Sequence, residues 1–286
     1  MSATTLAAVA APFGRDLESC FDRIAGLIAS ARARGVRLLA LPEACLGGYL
    51  NLMDGRADDG PPPLDPDGAE IRRLAALAGD MVVCAGYCER DGGLCYNSAV
   101  CVTGDGTLGH HRKVHQPLIE PGLFMAGDRF SAFDTPVGRV GMLICYDKAF
   151  PEAARALALD GAQIVVCISA WPAGLTNPAA DLAQDRWTRR FNLFDQARAL
   201  DNQVVWVSAN QTGTFGSLRF VGSAKVVDPG GEVLASTGVA EGMAVAEIDI
   251  AQALLRARRV MAHLRNRRPE TYLCPSRELV AEFRCR

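Results

Sequence analysis

The chain has 286 residues, of which 49% are hydrophobic and 22% charged, and its formal net charge is −2. This composition is typical of a folded globular protein and excludes a disordered chain. Its 30 basic and 32 acidic residues form no long run of either sign, so neither nucleic acid nor an anionic membrane is indicated as a partner. The opening MSATTLAAVAA has no basic segment, and no apolar run reaches the roughly 18 residues of a membrane-spanning helix. We therefore expect a cytoplasmic protein.

The 10 cysteines include no CxxC pair, which argues against a disulfide framework in a chain of this length. Most of them stand in apolar runs such as MVVCAGYC and QIVVCIS, where a free cysteine behaves as a small hydrophobic residue. We expect most of these side chains to contribute packing only.

In the first third of the chain, the pattern alternates between strands and a helix. TTLAAVAAP predicts a strand, and DLESCFDRIAGLIASARARG predicts a helix because its apolar residues recur at helical spacing. VRLLALPE predicts a short buried strand. The segment from Asn51 to Gly68, with PPPLDPDG in it, predicts a loop.

The remaining elements continue the alternation. MVVCAGYCE, CYNSAVCVT, GHHRKVH and RVGMLICYD predict strands, and the helix PEAARALALDGA follows with Pro151 at its first position. QIVVCISA and VVWVSAN predict strands on either side of a helix that ends near ARALDNQ. FVGSAKVVDPGGEVLAS predicts a hairpin, and MAVAEIDI predicts the last strand. Without a linker or repeat, residues 1–286 are predicted to form a single α/β domain in which helices cover mixed sheets.

Three polar residues stand where predicted strands end. Glu43 closes LLALPE, Lys113 lies near the end of GHHRKVH, and Cys145 closes GMLIC. Functional groups in α/β sheets gather at the carboxyl ends of strands. Each residue also has a purely structural alternative. Glu43 would be a carboxylate in a salt bridge or a helix cap, Lys113 a solvated lysine on a strand, and Cys145 a buried packing residue. A thiol near a lysine and the start of a helix, as Cys145 would be, is expected to have a lowered pKa.

Three segments carry a family resemblance in this order: LALPEACLGGY, HHRKVHQPLIEPGLFMAGD and GMLICYDKAFPE. Further motifs extend it over almost the whole chain, namely YNSA, WP, ARALDNQVVWVSAN, GSAKVVDPGGEVL and RRPETY. Together they resemble the nitrilase superfamily of carbon–nitrogen hydrolases, in its amidase-like branch. The resemblance implies a four-layer α-β-β-α sandwich that uses no cofactor and no metal.

The resemblance also implies a catalytic triad of Glu43, Lys113 and Cys145, with Glu120 as a second glutamate that orients the lysine. Cys145 would attack an amide carbonyl, and Glu43 would transfer the protons. Lys113 and the backbone N–H of Tyr146 would stabilise the negative charge that develops on the carbonyl oxygen.

Aromatic residues supply the candidate substrate pocket. Tyr49, Tyr146 and Trp171 align with pocket positions of the family, although buried aromatic residues are more often core. The roles of Asp147 and Glu152 stay open, and Glu152 is equally suited to favour a helix N-terminus by its charge.

Two other kinds of site are disfavoured. His110, His111 and His115 suggest a metal site, but a cation site built around Lys113 would be electrostatically unfavourable. A serine hydrolase is disfavoured because no GxSxG motif occurs.

We therefore expect a hydrolase that cleaves a non-peptide C–N bond of a small linear carboxamide through a cysteine thioester, releasing ammonia or an amine. The alternatives are an N-carbamoyl-amine or ureido-acid hydrolase and then a nitrilase, since nitrilases more often carry Trp-Glu where Tyr146 and Asp147 stand. From other classes, an acyltransferase or a catalytically silent scaffold is possible, and the intact triad argues against the scaffold. The resemblance also implies a homodimer or higher homo-oligomer, with contacts from a C-terminal tail at about 265–286 and from helices near Pro151 and Arg198.

Overall fold

The computed structural model describes residues 3–51, 60–117 and 120–272. In chain order, the first elements are β1 (Thr4–Ala11), α1 (Leu17–Ala33), β2 (Leu38–Ala40), α2 (Ala69–Ala78), β3 (Val82–Asp91), β4 (Leu94–Thr103) and β5 (Gly106–Arg112). The later ones are β6 (Ala132–Thr135), β7 (Gly138–Ile144), a 3-10 turn (Cys145–Ala149), α3 (Pro151–Leu159), β8 (Ile164–Ser169), α4 (Arg186–Asn202), β9 (Val205–Phe215), β10 (Leu218–Val221), β11 (Lys225–Val227), β12 (Val233–Ser236), β13 (Gly242–Ile248) and α5 (Ile250–Val260).

The strands form two sheets that are joined at one point. The first runs in the order β5-β4-β3-β2-β1-β13, and the second runs in the order β6-β7-β8-β9-β11-β12. They meet where the last two residues of β1 pair in parallel with β9, at Ala10–Asn210 and Ala11–Gln211. This junction brings the carboxyl ends of strands from both sheets to the same region.

Burial follows the alternation of side chains along the strands. One set of apolar side chains from both sheets, including Leu6, Val82, Ile144 and Val166, fills the space between them. The opposite face of the first sheet packs against α1 and α2, and that of the second sheet packs against α3 and α4. The result is the four-layer α-β-β-α sandwich that the resemblance implied.

The predicted strands and helices are present, and most of them begin within a residue or two of the predicted position. Pro151 begins α3, and the segment around the Pro-Gly-Gly turn is the β11–β12 hairpin. Three strands end three residues earlier than predicted, namely β2 at Ala40, β5 at Arg112 and β7 at Ile144, so Glu43, Lys113 and Cys145 lie on the connections that follow them. The predicted loop from Asn51 to Gly68 lies partly outside the described residues, as does the tail beyond Tyr272. Among the described helices, none has the length and apolar character needed to cross a membrane.

Candidate active site

Glu43 stands in a tight turn just after β2. The chain turns there with Ala44 at a φ of 52°, and β3 passes so close that a Cβ on Gly86 would lie 2.4 Å from the Ala44 nitrogen. Glycine is therefore required at that point of β3. The Glu43 carboxylate is fully buried, and its Oε2 accepts the backbone N–H of Ala170 at 2.5 Å. Its backbone carbonyl accepts Gln211 Nε2 at 3.0 Å, so both sheets hold the residue in place.

Lys113 reaches Glu43 from the other side of the site. Its backbone N–H donates to the Asn97 carbonyl on β4, which fixes the connection after β5. Its Nζ donates to Glu43 Oε1 at 2.9 Å and to Glu120 Oε1 at 2.7 Å, and the side chain is buried. An ammonium group thus lies between two buried carboxylates.

Two neutral side chains complete this polar cluster. Asn97 Nδ2 donates to Glu43 Oε1 at 2.7 Å and to Glu120 Oε1 at 3.1 Å. The Tyr49 hydroxyl donates to Glu120 Oε1 at 2.5 Å. Tyr49 therefore helps to position the Glu120 carboxylate. The sequence indicated Tyr49 only as a pocket residue.

The two carboxylates of this cluster keep the Lys113 amine protonated. Burial lowers the pKa of Lys113, but the negative charges of Glu120 and Glu43 outweigh it, so the net shift is upward and the amine stays protonated. Burial raises the pKa of Glu120, and Lys113 opposes that shift. Burial raises the pKa of Tyr49 well above its usual range, with a further contribution from the charge of Glu120.

Cys145 follows β7 directly and begins the 3-10 turn in a left-handed conformation, with a φ of 50°. Such a backbone is uncommon for a residue other than glycine and is often found at functional sites. The expectation of a lowered thiol pKa is wrong. Burial, followed by the charge of Glu43, raises the pKa of Cys145 well above its usual value. This shift favours the protonated thiol, and a protonated thiol can act as a nucleophile only after a base removes its proton.

Asp147 links the turn that begins with Cys145 to the segment that follows Lys113. Its Oδ2 accepts the N–H of Ile144 at 3.1 Å and contacts His111 Nε2 at 3.0 Å. Its Oδ1 accepts the backbone N–H of His115 at 2.9 Å and contacts His115 Nδ1 at 2.9 Å. Burial raises the pKa of Asp147, but the hydrogen bonds from the two histidines outweigh it and lower the pKa overall.

The remaining sequence candidates lie away from the polar cluster. His110 contacts Glu89 Oε2 at 2.6 Å, and His111 and His115 contact Asp147. Each of the three histidines that suggested a metal site therefore has a carboxylate partner. Within the described ranges, no group of three or more His, Cys, Asp or Glu side chains is arranged so that it could hold a metal ion. Glu152 is exposed in the first turn of α3, where its charge favours the helix N-terminus.

A cavity of about 270 Å³ opens beside Cys145. Its lining is mostly aromatic or apolar and includes the three predicted pocket residues; the full set is Tyr49, Gln116, Pro117, Cys145, Tyr146, Ala170, Trp171, Pro172, Trp187 and Leu218. A larger cleft of about 420 Å³ lies beside Phe13 and Phe215, but none of the predicted catalytic residues lines it. The smaller cavity is therefore the candidate substrate site.

Several contributors to the site had no recognisable signal of their own in the sequence. Trp187 and Leu218 lie outside the quoted motifs, and the fold brings them to the cavity. Asn97 had a weak signal, because an amide in the middle of the apolar strand CYNSAVCVT must find a buried partner. The cysteines behave as expected, since all of those in the described ranges are free and most are buried.

Comparison with known proteins agrees with this geometry. The family model for carbon-nitrogen hydrolases matches residues 5–257. A protein named nitrilase from Pyrococcus abyssi is 35% identical over 80% of this chain and 83% of its own. An (R)-stereoselective amidase from a Pseudomonas species is 34% identical over 89% of this chain and 88% of its own. The crystal structure of a carbon-nitrogen hydrolase from Helicobacter pylori superposes with a TM-score of 0.83 at 28% identity, covering 95% of this chain and 97% of that one. The chain therefore belongs to the carbon-nitrogen hydrolase family.

Proposed function

We propose that this protein hydrolyses small linear carboxamides through a thioester on Cys145, and that Glu43, Lys113 and Glu120 are the other catalytic groups. The observation that carries the proposal is the Lys113 ammonium, buried between two carboxylates and 5.8 Å from the ring centroid of Tyr49, which lines the same aromatic cavity as Cys145. Membership of a hydrolase family and similarity to an amidase support the reaction class.

The first half of the reaction forms the acyl-enzyme. Glu43 takes the proton from the Cys145 thiol, which is protonated at rest, and the sulfur attacks the amide carbonyl carbon. Negative charge develops on the carbonyl oxygen, and Lys113 and the Tyr146 backbone N–H stabilise it. The C–N bond then breaks, and Glu43 passes its proton to the nitrogen so that ammonia or an amine leaves neutral.

The second half returns the enzyme to its starting state. Glu43, again a carboxylate, takes a proton from water as the water oxygen attacks the thioester carbon. The carboxylic acid leaves, and the sulfur recovers its proton. Glu120 acts throughout by holding Lys113 in place, and Tyr49 and Asn97 hold Glu120.

The substrate assignment can be tested by measuring kcat/KM for an amide, its nitrile and its N-carbamoyl analogue with the same carbon chain. We expect the amide to be fastest, because it reaches the thioester after a single expulsion, whereas a nitrile must first add water. The Cys145→Ala variant is the control and should be inactive on all three compounds. A nitrile rate above the amide rate would overturn the substrate assignment and leave the catalytic groups unchanged.

Three further expectations belong to this proposal. The chain forms one domain over residues 1–286, supported by a family match that spans most of it. It assembles into a homodimer or higher homo-oligomer, supported by large apolar side chains that remain exposed on α4 and α5, such as Leu193, Leu255 and Val260. A cytoplasmic location is supported by the free thiols among the described cysteines, which are usual in a reducing compartment.

A further inference from the structure

A second buried ionic cluster lies behind the cavity, and the proposed reaction does not use it. Asp195 on α4 receives Lys148 Nζ on Oδ1 at 2.7 Å and Lys225 Nζ on Oδ2 at 2.6 Å. The Trp206 indole N–H also donates to Oδ1, at 2.9 Å. The carboxylate is fully buried, and both lysine side chains are at most 3% exposed. With both lysines protonated, the cluster carries a buried net positive charge, which is costly and is not the simplest way to build a core.

The two lysines share the carboxylate but differ in their other contacts. Lys225 Nζ donates to the Ser223 carbonyl at 2.6 Å and lies 4.4 Å from the ring centroid of Phe191. Lys148 Nζ lies 3.0 Å from the Phe191 centroid and 5.5 Å from that of Trp171. Lys148 therefore contacts an aromatic residue that lines the cavity, and for Lys225 the described contacts include no cavity-lining residue.

This contact extends to the aromatic wall of the cavity. Trp171 packs against Trp187 at 5.7 Å between centroids and against Phe191 at 5.9 Å. Trp171 and Trp187 both line the cavity beside Cys145. A cation held against the face of an aromatic ring is attracted to it, most strongly where water is excluded. The position of the Lys148 ammonium is fixed by Asp195, and the backbone of the same turn is fixed by Arg198 Nε, which donates to the Lys148 carbonyl at 2.9 Å.

We propose that Lys148, held by Asp195, is a positioning residue that fixes the Trp171–Trp187 wall of the cavity and thereby sets which acyl chains the enzyme accepts. This inference rests on the proposed function insofar as the cavity beside Cys145 receives the acyl group. The role differs from catalysis, because Lys148 lies behind the aromatic wall and does not line the cavity.

The chain offers a matched pair of variants. Lys148→Met and Lys225→Met each remove one positive charge from Asp195 and leave it paired with the other lysine, and methionine retains most of the volume of the lysine stem. Only the first variant removes the cation from Trp171. Hexanamide is compared with acetamide, because we expect a six-carbon acyl chain on Cys145 to extend to the wall and a two-carbon chain to stop short of it.

We expect Lys148→Met to lower the hexanamide-to-acetamide ratio of kcat/KM by about ten-fold, chiefly through KM, because an ordered aromatic contact is lost. Lys225→Met should keep the wild-type ratio. A displaced nucleophile would instead lower kcat equally for both amides. An unchanged ratio in Lys148→Met, or an equal change in both variants, would overturn the proposal. If Lys148→Met does not fold, Lys148→Gln takes its place in the same comparison.

A second measurement separates this inference from the proposed function. The rates at which iodoacetamide and 2-iodohexanamide alkylate Cys145 report entry into the cavity and require no hydrolysis. If the wild type hydrolyses no amide, the proposed function fails, but the alkylation ratio still tests the wall. Lys148→Met should shift that ratio toward iodoacetamide while Lys225→Met leaves it unchanged. Equal ratios in all three proteins would refute the positioning role.

Discussion

Replacing Asp147 with asparagine tests how the nucleophile turn is held. The carboxylate contacts four groups, namely the N–H groups of Ile144 and His115 and the rings of His111 and His115, at 2.9–3.1 Å. An asparagine keeps one accepting oxygen and presents an NH₂ group on the other side, so about two of these donors lose their acceptor. Each buried donor left unpaired costs about 1–3 kcal/mol, which gives a loss of about 2–6 kcal/mol in the free energy of unfolding for Asp147→Asn.

The pH dependence of this loss has a definite sign. The pKa of Asp147 is lower in the folded protein than its ordinary value of 3.8. The stabilisation it provides is therefore present above pH 3.8 and disappears as the pH falls through the folded-state pKa. Wild type and Asp147→Asn should differ fully at pH 7 and converge in strong acid.

Urea denaturation followed by circular dichroism measures the difference, and kcat on the best amide measures its effect on the reaction. We expect kcat to fall at least about ten-fold, because Asp147 holds the turn of Cys145 against the segment after Lys113. Asp134→Asn is the control, since that carboxylate is 86% exposed and its ion pair with Arg139 contributes little. A change below about 0.5 kcal/mol in Asp147→Asn, similar to that of a surface substitution, would refute this account of the turn.

Three other predictions concern separate parts of the molecule. Lys113→Met should lower kcat by about 10²–10³ through loss of an oxyanion donor, with the fold retained by circular dichroism; a kcat within ten-fold of wild type would contradict that role. Burial lowers the pKa of Lys225 to about 8 from its usual 10.5. Between these two pH values the unfolded chain holds a proton on Lys225 that the folded chain has released. The free energy of unfolding should therefore rise with pH across that window, by about 3 kcal/mol. Chemical denaturation at pH 7.5 and 10.5 checks this, and a rise of the same size in Lys225→Met would assign it to other groups. Light scattering should give a mass above that of a 30.5 kDa monomer at micromolar concentration, and deletion from Leu273 onward should lower it; a monomeric wild type contradicts the assembly proposal.

The layers of the fold could be predicted because their signals are local. A short apolar run rich in β-branched residues, such as QIVVCISA, predicts a strand that is covered on both faces, and it forms the buried strand β8. The proline at residue 151 marks the start of α3. The boundary at Lys113 could not be predicted from the pattern GHHRKVH. The strand ends at Arg112, and the Lys113 side chain pairs with Glu43, 70 residues away, and with Glu120, contacts to which the local pattern does not point.

The pKa of the nucleophile shows a similar limit. A cysteine before a helix and near a lysine suggests a stabilised thiolate, and the sequence contains both features. The fold adds burial and the two carboxylates, and these reverse the direction of the shift for Cys145. The same applies to Lys148, which reads as an ordinary polar residue of the motif CYDKAFPE until α4 supplies Asp195 as its buried partner. Pairings between distant segments decide electrostatics, and periodicity carries no information about them.

The central claim is that the reaction passes through a thioester on Cys145. The most direct test is to quench the enzyme rapidly with acid while it turns over a slowly hydrolysed amide. The quenched protein is then digested and analysed by mass spectrometry. We predict a mass increase equal to one acyl group on the peptide containing Cys145. Peptides containing the other cysteines, such as the buried Cys45 and Cys167, should stay unmodified. An acyl group on one of those cysteines, or steady turnover with no adduct on Cys145 and full activity in Cys145→Ala, would contradict the mechanism.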